Sequence, residues 1–117
     1  MEPLKTRLLA RNRKTAKRIK VDDEIEVELI KPTIGDRLKA MEEAQAAGEV
    51  DGEGKPKEGR KGALFAARLM TLLMYRDGHP IFKKDEAAEL IEQPWFEDVA
   101  KEMSDVFSPN PEAIRGN

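Results

Sequence analysis

The chain has 117 residues, which suits one domain with its ends rather than two. Charged residues make up 38%, aromatics only 5%, and there is no cysteine, so disulfides, thiolate nucleophiles and zinc–thiolate sites are excluded together. The net charge of −2 is unevenly spread: residues 1–20 hold eight basic residues against Glu2 (+7), while the remainder holds thirteen basic against twenty-two acidic (−9).

From the start, Met1 to Lys14 lacks the continuous apolar core of a secretory signal, and no membrane segment follows, so the expected location is the cytoplasm. Leu4, Leu8 and Leu9 give a weak helical period, which predicts a frayed helix or mobile arm over residues 1–18. Arg18 to Val21 and Ile25 to Leu29 alternate apolar with charged residues around the acidic turn Asp22-Asp23-Glu24, a hairpin signature that sets Lys20 opposite a glutamate. A two-stranded hairpin is marginal in water, so its Ile19, Val21, Ile25, Val27 and Leu29 face must lie on a helix, or its edge must pair with another chain. An unpaired edge beside a basic arm, on an acidic body, marks Arg11, Arg13, Lys14, Lys17, Arg18, Ile25 and Val27 as candidates for self-association, head to tail, or for contact with an acidic partner.

Pro32-Thr33 ends the strand, and Thr33 with Asp36 forms a near capping box for a helix carrying Ile34, Leu38 and Met41, with Ala40, Ala44 and Ala47 alongside. Glu42 and Glu43 are expected to face away, and Gly48 to close the helix. Residues 48–62 contain five glycines, one proline and a single large apolar residue, Val50; with almost nothing to bury, this reads as a flexible loop. Ala63 to Tyr75 is apolar except for Arg68 and Thr71, and its length predicts a helix at the centre of the domain. Arg76-Asp77-Gly78 makes a turn, with Gly78 at positive φ, and Pro80-Ile81-Phe82 is extended and pins the loop. Asp85 caps a short helix from Glu86 to Ile91, with Ala87, Ala88, Leu90 and Ile91 inward. After Gln93-Pro94, Trp95, Val99, Met103 and Val106, joined by Phe96, Ala100 and Phe107, define a clean amphipathic helix. The predicted fold class is mainly α: a small helical domain of about four helices over residues 19–108, a short N-terminal β-hairpin, and flexible ends at 1–18 and 109–117.

No catalytic constellation converges, and an enzyme is not expected. His79 is the only histidine and reads as a turn residue. A calcium loop with Gly78 at its sixth position would need ligands from Leu73 and Tyr75, which have no carboxylate. The glycine-rich stretch lacks phosphate-loop spacing, and the acidic pairs Asp22/Asp23, Glu42/Glu43 and Asp85/Glu86 each have a structural role. No metal or cofactor is implied. The basic arm has no aromatic residue before Lys20, so phosphate attraction is all it offers a nucleic acid; a small nucleic-acid-binding regulator is the alternative function. Trp95 and Phe96 are adjacent aromatics that cannot both point inward, which leaves one for a partner.

The run R-L-M-T-L-L-M-Y-R-D-G-H-P-I-F, then K-D-E-A-A-E-L-I-E-Q-P and a helix ending near S-P-N-P, resembles the tail assembly chaperones of long-tailed (siphophage-type) bacteriophages. The stretch V-D-D-E-I-E-V-E-L-I-K-P-T-I-G-D-R-L-K-A fits the same pattern, and together these span about residues 19–108. The basic arm and the glycine-rich loop are longer than that family suggests. The resemblance implies a small, non-enzymatic, self-associating protein of the host cytoplasm, absent from the mature virion. It would bind the tape measure protein, keep it soluble and help recruit tail tube protein; a frameshifted longer form occurs in many relatives. Covering an apolar helical client suits a helix-in-groove mode, with Trp95, Phe96, Val99, Met103 and Phe107 as the expected partner-binding face.

Overall fold

Alternation of apolar and charged residues makes the first strand pair. In the computed structural model, which describes residues 3–9 and 14–107, β1 (Thr15–Lys20) and β2 (Glu26–Ile30) run antiparallel. Ile19 sits opposite Val27 on one face, and Lys20 and Arg18 sit opposite Glu26 and Glu28 on the other. A slip of one residue would turn Val27 and Leu29 outward. The turn holds itself: Asp22 Oδ1 accepts hydrogen bonds from the Glu24 and Ile25 amides at 2.8 and 2.9 Å. Before β1 lies α1 (Leu4–Leu9), all of whose residues are exposed. Arg11, Arg13 and the expected tail 109–117 lie outside the described residues.

Helix α2 (Ile34–Ala46) starts at the expected capping box: Thr33 Oγ1 accepts from the Asp36 amide at 3.0 Å, and Asp36 Oδ2 accepts from the Thr33 amide at 2.9 Å. Gly48 follows at φ 75°. The buried side differs from expectation. Ala40 and Ala44 are buried, whereas Ile34 and Leu38 are 73% and 60% exposed. Small residues let α2 approach its neighbours closely, which turns the bulkier stripe outward. Glu43 does not face away; it joins the ion-pair network described below.

The glycine-rich stretch buries more than its composition suggests. Val50 and Glu49 are buried, Val50 bridges to Pro56, and Asp51 Oδ1 accepts from the Glu53 and Lys55 amides. Helix α3 (Arg60–Leu73) then begins three residues before Ala63. Its early glycine is a packing requirement: a Cβ on Gly62 would lie 1.9 Å from the Lys57 carbonyl oxygen.

The main correction to the fold class lies at the other end of α3. The helix stops at Leu73, and the chain passes without a loop into β3 (Met74–Arg76), which pairs with β2. Asp77 and Gly78, both at positive φ (52° and 83°), form a two-residue hairpin loop to β4 (His79–Pro80). The protein is therefore a mixed α/β domain: five helices and a four-stranded antiparallel sheet in the order β1-β2-β3-β4 among the described residues. The edge of β2 is covered by β3 of the same chain, not by a second copy.

A 3-10 turn (Lys84–Glu86) leads into α4 (Ala87–Leu90). Here Glu86, not Asp85, closes the start, accepting from the Lys83 amide at 2.7 Å, and Leu90 is the buried residue while Ala88 is exposed. Helix α5 (Phe96–Phe107) crosses the face of the sheet that carries Ile19, Val27 and Leu29. Lys17 on that face pairs with Glu102 of α5. Phe65 of α3 meets Phe107 edge to face, with ring centroids 6.2 Å apart. Arg37 Nε donates to the Phe107 carbonyl at 2.9 Å, so the first turns of α2 clasp the last turn of α5. Leu29, Met70, Leu73 and Met74 are fully buried, each worth about 1.5–3 kcal/mol against exposure.

Two glycine substitutions separate backbone conformation from close approach. Gly78→Ala meets nothing within 4 Å and should cost only the left-handed penalty, about 1 kcal/mol. Gly62→Ala must displace a backbone carbonyl and should cost about 3 kcal/mol, the upper end for overpacking. Urea unfolding of the two variants checks this order.

Candidate docking cleft

Residues expected to serve different partners meet in one place. Val21, Ile25 and Val27 from the β1–β2 end, Met74 from β3, and Ile81, Phe82 and Trp95 from the later loops line an apolar cleft of about 430 Å³. Local chemistry positions each wall. The Asp22 carboxylate, by binding the Ile25 amide, presents Ile25 at the rim. The Ile81 amide donates to the Met74 carbonyl at 3.1 Å, which ties Ile81 to β3 beside the cleft. Phe82 stacks on Trp95 with centroids 6.3 Å apart and planes 23° apart. Ile25 and Ile81 remain 43% and 38% exposed. Arg76 and His79, opposite one another in the β3–β4 hairpin, supply the polar margin.

The adjacent aromatics diverge as expected: Phe96 is buried and Trp95 half-buried at the cleft wall. Of the other expected partner-binding residues, Val99, Met103 and Phe107 are also buried in the domain's own core. Val27 is buried too, so among the self-association candidates only Ile25 offers apolar surface at this cleft. The cations divide: Lys17 pairs with Glu102, and Arg18 lies 3.6 Å from Glu28. Lys14 is exposed, and its carbonyl accepts from the Lys31 amide at 2.7 Å. The hydrogen bond that Lys17 donates to the Glu102 carboxylate raises the Lys17 pKa. From the sequence Ile81 and Phe82 are expected only to pin a loop; their place beside Ile25 follows from the β3–β4 hairpin, which Asp77-Gly78 signals.

A second cavity, about 500 Å³, lies between α2, the end of α3 and the segment 80–84, and is lined by Tyr75, Phe82, Lys39 and Lys84 beside Glu43 and Arg68. Its charges answer one another. Arg68 donates through Nε and Nη2 to both oxygens of the buried Glu49, each at 2.8 Å, and through Nη1 to Glu43 at 3.1 Å. Lys84 Nζ reaches Glu43 at 2.8 Å. The Glu49 hydrogen bonds raise the Arg68 pKa, and the Lys84 hydrogen bond, with the Lys84 and Arg68 charges, lowers that of Glu43. This is a tie between the 48–59 segment, α2 and α3. No group of three or more His, Cys, Asp or Glu among the described residues could hold a metal ion, and no helix among them is long and apolar enough to cross a membrane. No protein-family model, curated protein or solved structure matches the chain.

Two outcomes follow. Phe96→Ala should cost about 3 kcal/mol in thermal unfolding, as a buried aromatic does, whereas Ile25→Ser should stay within about 1 kcal/mol because little burial is lost. Because the folded pKa of Glu43 is depressed below 4.5, its contribution is complete above that value and disappears as pH falls through the depressed pKa. Glu43→Gln should therefore flatten the acid limb of a stability–pH curve and leave its alkaline side unchanged in shape.

Proposed function

We propose that this protein is a non-enzymatic tail assembly chaperone of long-tailed bacteriophages, which holds the tape measure protein soluble in the host cytoplasm and helps recruit tail tube subunits. The observation that carries the reading is the apolar cleft with Ile25 and Ile81 at its rims and the Trp95–Phe82 stack as its wall. It adds to the resemblance carried by the residue pattern over about residues 19–108. A long helical client presents apolar side chains at helical spacing, and an apolar cleft can take such side chains from one helix face. The site shifts from the expected α5 face, whose Phe96, Val99, Met103 and Phe107 are already used inside the domain. Among the described residues of the basic arm, the nucleic-acid alternative would use the exposed Lys5, Arg7 and Lys14, since Lys17 and Arg18 are paired with glutamates.

Co-expression with a candidate tape measure protein tests the reading. The client should move from the pellet to the soluble fraction with the native chain, and return to the pellet with Ile25→Asp plus Ile81→Asp, while that variant itself stays folded. A client equally soluble with and without this protein would overturn the function. A client held equally well by native chain and variant would overturn the site.

A further inference from the structure

In the second cavity the acceptors are satisfied and several donors are not. Arg68 gives Nε and both terminal nitrogens to Glu49 and Glu43, Lys84 gives its ammonium to Glu43, and the Thr71 hydroxyl donates to the Arg68 carbonyl at 2.7 Å. The Asp36 carboxylate accepts the Thr33 amide, and the Glu86 carboxylate accepts the Lys83 amide. Three donors of the lining remain. The ammonium groups of Lys39 and Lys83 form no ion pair among the described residues, and the Tyr75 hydroxyl makes no hydrogen bond among them. Three separate elements contribute these groups: α2, the segment just before the 3-10 turn, and β3. Much of the remaining wall is apolar, with Ala40, Leu72, Pro80 and Phe82.

We propose that this cavity binds a small amphipathic carboxylate, with its apolar body on the wall of Ala40, Leu72 and Phe82 and its charged end at Lys39, Lys83 and the Tyr75 hydroxyl. A carboxylate offers about four lone-pair sites, enough for all three donors. Water hydrates the exposed ammonium groups but leaves the apolar wall wet; an anion with an apolar body answers both. The volume, about 500 Å³, falls within the ~300–1,000 Å³ of small-molecule sites. No protein side chain joins a long apolar body to a carboxylate, so a free acid matches this lining in one piece. Pro80 and Phe82 also line the docking cleft, which makes the segment they belong to a wall common to both spaces. The inference is independent of the client reading, since its test involves no client.

Calorimetric titration of the full chain with octanoate should show saturable binding with a Kd of about 1 mM or tighter. Octan-1-ol, which keeps the body, and acetate, which keeps the charge, should each bind about tenfold more weakly or worse. Lys39→Gln plus Lys83→Gln should weaken octanoate about tenfold, and Tyr75→Phe about threefold. Both lysines are exposed, so the double variant should keep the native thermal unfolding. Ile25→Asp plus Ile81→Asp, in the neighbouring cleft, should bind octanoate as the native chain does. An absence of saturable binding, octan-1-ol bound as tightly as octanoate, or a lysine or Tyr75 variant with native affinity would each overturn the proposal. Loss of octanoate binding in the cleft variant alone would move the ligand to the cleft and overturn it too. So would tighter binding of an acetylated, amidated tripeptide with glutamate between two leucines, which would make the occupant a protein segment.

Discussion

The passage from helix to strand at Met74 governs this domain. The Met74 amide still donates to the Met70 carbonyl as the last act of α3, while the same residue stands opposite Leu29 in the sheet. With no loop between them, the axis of α3 and the position of β3 are one rigid choice, and both neighbours of the junction, Leu73 and Met74, are fully buried. The sheet thus has an interior strand anchored in the central helix, which stabilises the marginal β1–β2 hairpin from the side instead of leaving it to lean on a helix alone. Everything that follows, the β3–β4 hairpin, the Ile81 rim and the cleft, is placed by that junction.

Much of the local structure was legible because it is written in short-range chemistry. Alternation specifies the β1–β2 register, Thr33 and Asp36 specify the start of α2, and the stripe from Trp95 to Phe107 specifies α5. The third and fourth strands were not. Met74 and Tyr75 continue an apolar run, and a run has no period to distinguish a helix from a buried strand. His79-Pro80 is too short to show any period at all. The one available signal was Asp77-Gly78, a pair favoured in two-residue hairpin loops, which marks a turn whether or not strands flank it.

The site was legible only in pieces. Trp95, Ile25 and Val27 stood out singly, for their size or their alternation; that they line a common cleft depends on sheet order and on the loop at 80–84. The face of α2 misled for a different reason. A helical period shows which residues share a side but not which side is buried, and close packing through Ala40 and Ala44 overrode the larger transfer energy of Ile34 and Leu38. The Arg68–Glu49 pair was invisible because its members are nineteen positions apart, one of them in a stretch whose composition suggests solvent. Once formed, that pair converts a glycine-rich segment into part of the body.

The apolar cleft and the outward stripe of α2 lie at opposite ends of the β1–β2 hairpin. The cleft takes Val21 and Ile25 from the turn end, and the α2 stripe begins just beyond the Lys14–Lys31 end. Strands of five or six residues at about 3.3 Å per residue put roughly 15–20 Å between them. Occupation of one need not obstruct the other.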